Sequence, residues 1–279
     1  MPEYDYEKLK KEAEQYIKFE KDKKNRIAYI TFDRPDAQNA TSLGMRQNYA
    51  DLIHKCNVDD DVKYPPGGSY RYLSTVTDFY AKARAGNRPL QELRKISIIE
   101  AKGYCYGWHF YQAGDADLVI SSDDALFGHP AFRYVGWGPR LWWWAETMGL
   151  RKFSEMLFTG RPFSAKEMYD CGFVNSVVPR DQLEAETEKY AMACSRSRPT
   201  DTVAVQKTFL ELYKQHKGEY FGSLLTGMVE GMLPMIQNDA QEVDLTEGTF
   251  NKGLNNVVKD NDMNFPPEWR LSRSGRAKP

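Results

Sequence analysis

The sequence predicts an α/β protein in which helices cover a parallel sheet. Two short segments, 97–101 and 117–122, are apolar and rich in β-branched residues, as buried strands are. A glycine-bearing turn and a segment that can form a helix, 108–116, lie between them. A strand, a helix and a second strand in this order favour a parallel pair of strands with the helix outside the sheet.

The N-terminal part of the chain predicts a hairpin and a capped helix. Residues 16–21 and 27–32 alternate between apolar and polar side chains around a polar turn, which is typical of a β-hairpin. Thr41 or Ser42 can cap a helix that runs to about residue 55. Met45 and Tyr49 lie on one apolar face of that helix.

The remaining predicted elements are mainly helices. A capping box, Ser164 with Glu167, marks the start of one of them. The others cover 4–16, 70–85, 89–95, 141–148, 152–157, 181–194, 200–216, 220–237 and 242–259, with a last strand at 174–178 and an extended tail from 264.

Composition argues against several classes of protein. The 279 residues carry a net charge of −1, and the short basic tail 270–278 is expected to be a solvated end, so a nucleic-acid partner is not expected. No run of about 18 apolar residues occurs, so no membrane span is expected, and the charged N-terminus has no apolar signal core. The four cysteines form no close pair and no metal-binding spacing. We therefore expect reduced thiols, no metal site and a cytoplasmic protein.

The turn 103–109 is the stretch that most strongly suggests chemistry. Gly103 and Gly107 interrupt the strand pattern, and a helix that begins after them leaves its first backbone N–H groups without intrahelical partners. These groups face a crevice at the end of the strand, where they can bind an anion or the oxyanion of an activated carbonyl. The alternative is a plain strand-to-helix turn whose glycines allow tight packing.

Other motifs occur before and after this turn in a characteristic order. They are Arg34-Pro35 followed by Asn39-Ala40, Phe127-Gly128 followed by Pro130, a glycine-rich loop at 136–140, and the segment 157–179. In this order the segments resemble the enoyl-CoA hydratase/isomerase family, the crotonase superfamily. The resemblance extends from about residue 16 to about residue 253.

The resemblance implies an α/β fold, a crotonase-like spiral of ββα units with a helical C-terminal region. Residues 1–195 would form the spiral core with its N-terminal helical arm. Residues 196–279 would form helices that pack on neighbouring subunits, and an extended tail. Members of the family usually assemble as trimers or dimers of trimers. They act on acyl-CoA thioesters, so coenzyme A is expected as part of the substrate and no separate cofactor is expected.

The resemblance also gives the turn a role. The second of two oxyanion donors maps onto the backbone N–H of Trp108, beside Gly107. The first donor would come from a strand and turn that we do not find in the sequence after Val62. The two glutamates that hydratases of the family use fall on Tyr111 and Ala131, so water addition by a glutamate pair is not expected.

Other side chains can take over the acid–base chemistry. Tyr111 can donate or accept a proton, although a tyrosine has an ordinary pKa of about 10. His109 and His129 are of a residue type that titrates near neutral pH. For each histidine the alternative is a hydrogen-bonded structural role, and His109 lies two residues from Tyr111, so the two do not share a helix face. The predicted substrate contacts are Gly107, Ala40, Ala131 and Trp137.

The aromatic residues between 104 and 144 have two interpretations. They either pack the core and a subunit interface, or they form a bulky apolar pocket for a cyclic or aromatic acyl group. The reactions open to such a site are hydration, isomerisation and carbon–carbon bond hydrolysis of a cyclic ketone. A non-catalytic relative that keeps the fold as a binding or assembly subunit is the competing hypothesis. Asp117 matches a structural aspartate of the family and is expected to be structural.

Overall fold

A computed structural model describes residues 5–57, residues 90–232 except 135, 139 and 197, and residues 251–272 except 252. The strands are β1 (Ile17–Asp22), β2 (Ile27–Phe32), β3 (Ile98–Ala101), β4 (Tyr104–Tyr106), β5 (Leu118–Ser122), β6 (Leu126–Gly128), β7 (Phe163–Ser164) and β8 (Ser176–Val178). The α-helices are α1 (Tyr6–Ala13), α2 (Leu43–Asn57), α3 (Trp108–Asp115), α4 (Leu141–Met148), α5 (Leu150–Thr159), α6 (Ala165–Asp170), α7 (Leu183–Arg196), α8 (Thr200–His216), α9 (Glu219–Met232) and α10 (Leu254–Asp262). Short 3₁₀ helices lie at Glu14–Tyr16, Pro35–Ala37, Pro130–Arg133, Arg180–Gln182 and Pro267–Trp269.

Two ββα units lie side by side at the centre of the fold. The first is β3, β4 and α3, and the second is β5, β6 and α4. Strand β5 pairs in parallel with β3, and β6 pairs in parallel with β4, so each strand of the second unit lies beside its counterpart in the first. Strand β8 then continues the β3–β5 sheet in parallel, and β7 pairs antiparallel with β6. The predicted parallel sheet built from repeated ββα units is confirmed.

Large aromatic side chains fill the space between these units. Phe110 of α3, Phe127 of β6, Trp144 of α4 and Phe163 of β7 are fully buried in one continuous core. Each such side chain contributes on the order of 1.5–3 kcal/mol by leaving water. The packing interpretation therefore accounts for these aromatic residues.

The N-terminal elements form as predicted. Strands β1 and β2 pair antiparallel, with Ile17 opposite Phe32. The hydroxyl oxygen of Ser42 accepts a hydrogen bond from the backbone N–H of Met45 at 3.2 Å, so Ser42 caps α2. Helix α1 packs directly against α2 at Gly44, because a Cβ atom at that position would lie 2.0 Å from the carbonyl oxygen of Leu9.

A buried ion pair joins the C-terminal helices to the sheet. Lys207 of α8 donates to both carboxylate oxygens of Asp117 at 2.7 Å, and both side chains are about nine-tenths buried. The backbone N–H and the hydroxyl of Ser97 also donate to Asp117, at 2.7 and 2.9 Å. Asp117 therefore has the structural role expected of it, because it links the start of β5 to α8.

Residues 270–272 differ from the solvated end expected of the tail. Arg133 pairs with Asp262 of α10 at 2.8 Å and also donates to the carbonyl oxygen of Trp269. The backbone N–H of Leu271 donates to Asp262 at 2.7 Å, and Tyr106 donates its hydroxyl to the Leu271 carbonyl at 2.9 Å. Leu271 is buried. This segment therefore docks on the core, which a reading of its charge alone does not reveal.

Most other element boundaries agree with the sequence, including α4, α8 and the capping box at the start of α6. Three strands, β4, β6 and β7, were not predicted, because none of them has more than three residues. The predicted helix at 89–95 is wrong over most of its length, since among its described residues only 90 and 91 are helical and residues 92–95 form a turn and a bend. The predicted helix at 70–85, the region after Val62, and parts of the predicted helices 220–237 and 242–259 lie outside the described residues. No helix in the described ranges is long and apolar enough to cross a lipid bilayer.

Candidate active site

The turn between β4 and α3 brings two parts of the chain together. The backbone N–H of Gly107 donates to the carbonyl oxygen of Gly128 at 3.1 Å, which extends the pairing of Tyr106 with Gly128. Gly107 then turns the chain with φ +56° and ψ −119°, a conformation that favours glycine. Helix α3 begins at Trp108, so the start of this helix lies next to the end of β6.

The backbone N–H of Trp108 lies in the first turn of α3, where it has no intrahelical acceptor. Within the described ranges, no acceptor forms a hydrogen bond with it. The indole ring is buried in a second core, where it makes edge-on contacts with Tyr49 at 5.3 Å and with Phe32 at 5.7 Å between ring centroids. The side chain therefore anchors the helix start, and the amide keeps its capacity to donate.

Tyr111 and His129 meet at this end of the sheet. The Tyr111 hydroxyl lies 3.3 Å from Nε2 of His129, and the two ring centroids are 5.2 Å apart. If Nδ1 of the imidazole carries the hydrogen, Nε2 accepts from the hydroxyl, and in the other tautomer Nε2 donates to it. The structure thus forms a tyrosine–histidine pair from two of the predicted acid–base residues, which lie 18 positions apart in the sequence.

The surroundings of His129 keep its ring uncharged. The side chain is only 7% exposed and is packed against Phe132 at 4.9 Å and Trp144 at 5.6 Å between centroids. Burial lowers the pKa of His129 to about 4, against a weaker opposing effect from the main chain of Trp137. The pair is therefore neutral at physiological pH, unlike a pair of glutamates.

His109 contacts a different part of the chain. Its Nε2 lies 2.9 Å from the carbonyl oxygen of Asn39, and its Nδ1 lies 3.2 Å from Oε1 of Gln112. The ring also packs edge-on against Phe32 at 5.6 Å. The structure therefore brings His109 to the 34–40 loop rather than into the tyrosine–histidine pair.

The four predicted substrate contacts lie in different parts of the fold. Ala131 is part of the 3₁₀ helix that follows His129, and its carbonyl oxygen accepts from the backbone N–H of Gly136 at 3.0 Å. Trp137 is half-buried against the main core and donates its indole N–H to the carbonyl of Thr226 in α9 at 2.9 Å. Ala40 is exposed at the end of the 34–40 loop. Beside Gly107, an added Cβ atom would meet no atom of the described residues within 4 Å.

Sequence reasoning missed two residues that shape the pair. Trp144 was one of many aromatic residues, yet it contacts both Tyr111 and His129. Gly138 lies so close to the pair that an added Cβ atom would be 3.1 Å from Nε2 of His129 and 3.2 Å from Trp144. The closely spaced glycines at 136 and 138 were the available signal, but their neighbours depend on the tertiary fold.

A buried arginine binds the acidic groups at the far end of α3. Arg140 pairs with Asp115 and, at 2.8 Å, with Glu219 of α9. It also donates to Ser223 at 2.7 Å, and Gln91 donates to both carboxylates at 3.1 and 3.0 Å. Asp115 is therefore engaged in a structural network. Across the described residues, no group of three or more His, Cys, Asp or Glu side chains is arranged to hold a metal ion.

The neutrality of His129 predicts a pH-dependent stability. In the unfolded chain the ring has an ordinary pKa near 6.5, whereas in the folded protein the pKa is about 4. Below pH 6.5 the unfolded state therefore takes up a proton that the folded state does not. The contribution of the neutral imidazole to the free energy of unfolding is fully present above about pH 6.5. It is lost as the pH falls towards 4, and the total loss is about 3 kcal/mol.

We expect His129→Gln to flatten this part of the stability curve, as measured by urea unfolding between pH 7 and pH 4. A substitution that removes no titratable group, Gln182→Ala at an exposed site, is the control and should leave the pH dependence unchanged. If the stability of His129→Gln changed with pH in parallel with that of the unmodified protein, the lowered pKa of His129 would be contradicted.

Comparisons with known proteins agree with this fold. The sequence model of the family described as enoyl-CoA hydratase/isomerase matches residues 71–223. The mevalonyl-coenzyme A hydratase sidH of Aspergillus fumigatus is 29% identical over 196 residues, an alignment that covers 68% of this chain and 63% of that protein. The chain thus spans slightly less than two thirds of the length of this curated relative.

Solved structures share the fold. The crystal structure of an enoyl-CoA hydratase from Mycobacterium smegmatis superposes with a TM-score of 0.77 at 19% identity, over 89% of this chain and 94% of that one. The crystal structure of a probable enoyl-CoA hydratase from Mycobacterium thermoresistibile gives a TM-score of 0.68 at 27% identity. That alignment covers 80% of this chain and 98% of the other. Since the family match also covers more than half of the 279 residues, the chain belongs to the enoyl-CoA hydratase/isomerase family, the crotonase superfamily.

Proposed function

We propose that this protein is an enzyme that acts on an acyl-CoA thioester and stabilises the negative charge of an enolate. The observation that carries the proposal is the contact between the Tyr111 hydroxyl and Nε2 of His129, 3.3 Å apart, at the same end of the sheet as the Trp108 amide. The Trp108 N–H would donate to the thioester oxygen as charge develops there. Removal of one such donor typically lowers the rate about 10²–10³-fold.

The tyrosine–histidine pair would supply the proton transfer. When a substrate carbon loses a proton to the Tyr111 oxygen, the hydroxyl proton moves to Nε2 of His129, which becomes an imidazolium. The reverse transfer returns the proton to the substrate. The charge of the enolate and that of the imidazolium offset one another, so a ring that burial keeps neutral in the resting protein can still accept the proton at this step.

The substrate is proposed to carry a bulky cyclic or aromatic acyl group. The support is the half-buried Trp137, whose neighbour Gly138 lies against the His129 ring. Coenzyme A would enter as part of the substrate, with no separate cofactor. Carbon–carbon bond hydrolysis of a cyclic ketone is a second candidate reaction, in which the tyrosine–histidine pair would activate the water that attacks the ketone.

Binding of coenzyme A thioesters tests the proposal directly. We expect CoA, acetyl-CoA and benzoyl-CoA each to raise the melting temperature, with the largest rise for benzoyl-CoA. At a ligand concentration 100 times Kd the folded state gains about 2.7 kcal/mol. ATP at the same concentration controls for unspecific binding of a nucleotide. The absence of a shift with CoA, acetyl-CoA and benzoyl-CoA alike would favour the non-catalytic alternative.

Removal of the Tyr111 hydroxyl should impair turnover without loss of the fold. For Tyr111→Phe we expect kcat on a substrate found in the binding screen to fall about 10²–10⁴-fold, because the proton donor and acceptor is lost. Tyr169→Phe is the matched control, since Tyr169 is 52% exposed on α6. Full activity of Tyr111→Phe would exclude Tyr111 from the mechanism.

We further propose a cytoplasmic protein whose residues 196–279 pack against neighbouring subunits of a trimer or a dimer of trimers. The support for assembly is an apolar face on α8 and α9. Val205, Phe209 and Leu212 are spaced for one side of α8, and each is more than 60% exposed. Phe221 on α9 is 66% exposed. An exposed apolar surface of this kind is typical of an interface.

Charged substitutions on this face should dissociate the assembly. We expect sedimentation velocity to show a trimer or hexamer for the unmodified protein and a monomer for the double variant Phe209→Glu, Leu212→Glu. Glu20→Lys, on the exposed face of the hairpin, should leave the assembly intact. A monomer in the unmodified protein would contradict the proposed oligomer.

A further inference from the structure

The loop 34–40 is held in one conformation by its own hydrogen bonds. The backbone N–H of Asn39 donates to the carbonyl of Arg34 at 2.8 Å, and the Asn39 side chain accepts from the Arg34 backbone N–H at 2.6 Å. The Arg34 guanidinium donates to the carbonyl of Ala40 at 3.1 Å. Gln38 and Asn39 both have a positive φ, of 51° and 58°. The loop is therefore closed on itself, and the direction of the Asn39 carbonyl is fixed.

His109 joins this loop to the helix that carries the Trp108 amide. Its Nε2 lies 2.9 Å from the Asn39 carbonyl oxygen, an acceptor only, so Nε2 carries a hydrogen and donates. In this tautomer Nδ1 is an acceptor, so the Gln112 amide holds the ring with its NH2 group rather than its oxygen toward Nδ1. The ring also makes an edge-on contact with Phe32. A side chain next to Trp108 in the sequence thus bonds α3 directly to a loop 70 residues away.

We propose that His109 is a positioning residue that fixes Ala40 relative to the Trp108 amide. This inference rests on the proposed function. A CoA thioester that contacts both Ala40 and the Trp108 N–H spans two segments that are distant in the sequence, so its reactive carbonyl reaches the donor only if their separation is held. A small misplacement of such elements is costly in rate. The role differs from proton transfer, because both ring nitrogens face partners within the protein.

Two variants separate the hydrogen bond from the packing of the ring. His109→Phe keeps an aromatic ring against Phe32 and removes the donor, whereas His109→Gln keeps an N–H that can reach the Asn39 carbonyl. We expect isothermal titration with acetyl-CoA, whose carbonyl can reach the Trp108 amide, to show affinity about 2- to 10-fold weaker for His109→Phe, as for the loss of one hydrogen bond, and near-normal affinity for His109→Gln. Amide hydrogen exchange of residues 34–42 should be faster in His109→Phe than in the unmodified protein, and it should be unchanged in His109→Gln.

Tyr169→Phe, at an exposed site on α6, is the control and should change neither measurement. Unchanged acetyl-CoA affinity in His109→Phe would overturn the inference, whether or not exchange in the loop is faster, since a purely structural contact would alter exchange only. If His109→Phe fails to fold, His109→Ala is compared with His109→Gln, since both lack the ring and only glutamine keeps a donor, and equal acetyl-CoA affinity of these two variants overturns the inference. A wild-type protein that binds neither CoA nor its thioesters would instead overturn the proposed function itself.

Discussion

One backbone hydrogen bond, from the Gly107 N–H to the Gly128 carbonyl, determines the geometry of the candidate site. It closes the short parallel ladder between β4 and β6, so the residues that follow each strand leave the sheet side by side. After β4 the chain begins α3 at Trp108, and after β6 it continues to His129. Tyr111 lies about one helical turn beyond Trp108 and reaches the same imidazole. The positions of the Trp108 amide, the proposed oxyanion donor, and of the proposed proton-transfer pair are therefore set by strand pairing.

Burial keeps the His129 imidazole neutral, while buried charged groups elsewhere in the core are paired with one another. The buried carboxylates of Asp115 and Glu219 are bound by Arg140, and Asp117 is bound by Lys207. Aromatic rings instead surround His129, and their low polarity favours the uncharged imidazole. Taking one partner away from a buried ion pair leaves an unpaired charge and costs about 3–5 kcal/mol. The Arg140 ion pairs at the C-terminal end of α3 and the Lys207–Asp117 pair at the start of β5 therefore stabilise the fold. The candidate site instead requires an uncharged imidazole at His129.

The sequence predicted the longer elements well because their signals are local. The alternation in β1 and β2, the apolar face of α2 and the Ser164–Glu167 capping box each lie within about ten residues. The partners of the candidate side chains could not be predicted in this way. Whether His109 meets Tyr111 or Asn39 depends on how α3 is rotated against a loop 70 residues earlier. Family resemblance identified Trp108, Tyr111 and Ala131 by position, but it gave no indication that Trp144 and Gly138 confine His129.

The segment that carries His129 and Ala131 is itself held by the end of the described chain. Arg133 belongs to the same 3₁₀ helix as Ala131, and its guanidinium stacks 3.6 Å from the centre of the Phe265 ring while it pairs with Asp262. It also donates to the carbonyl of Gly160 at 3.0 Å, which ties this helix to the end of α5. A loop with bonds to two distant segments loses little entropy when substrate binds, since its conformation is already restricted. The docked C-terminal segment thus contributes to the preorganisation of a site to which none of its own residues belongs.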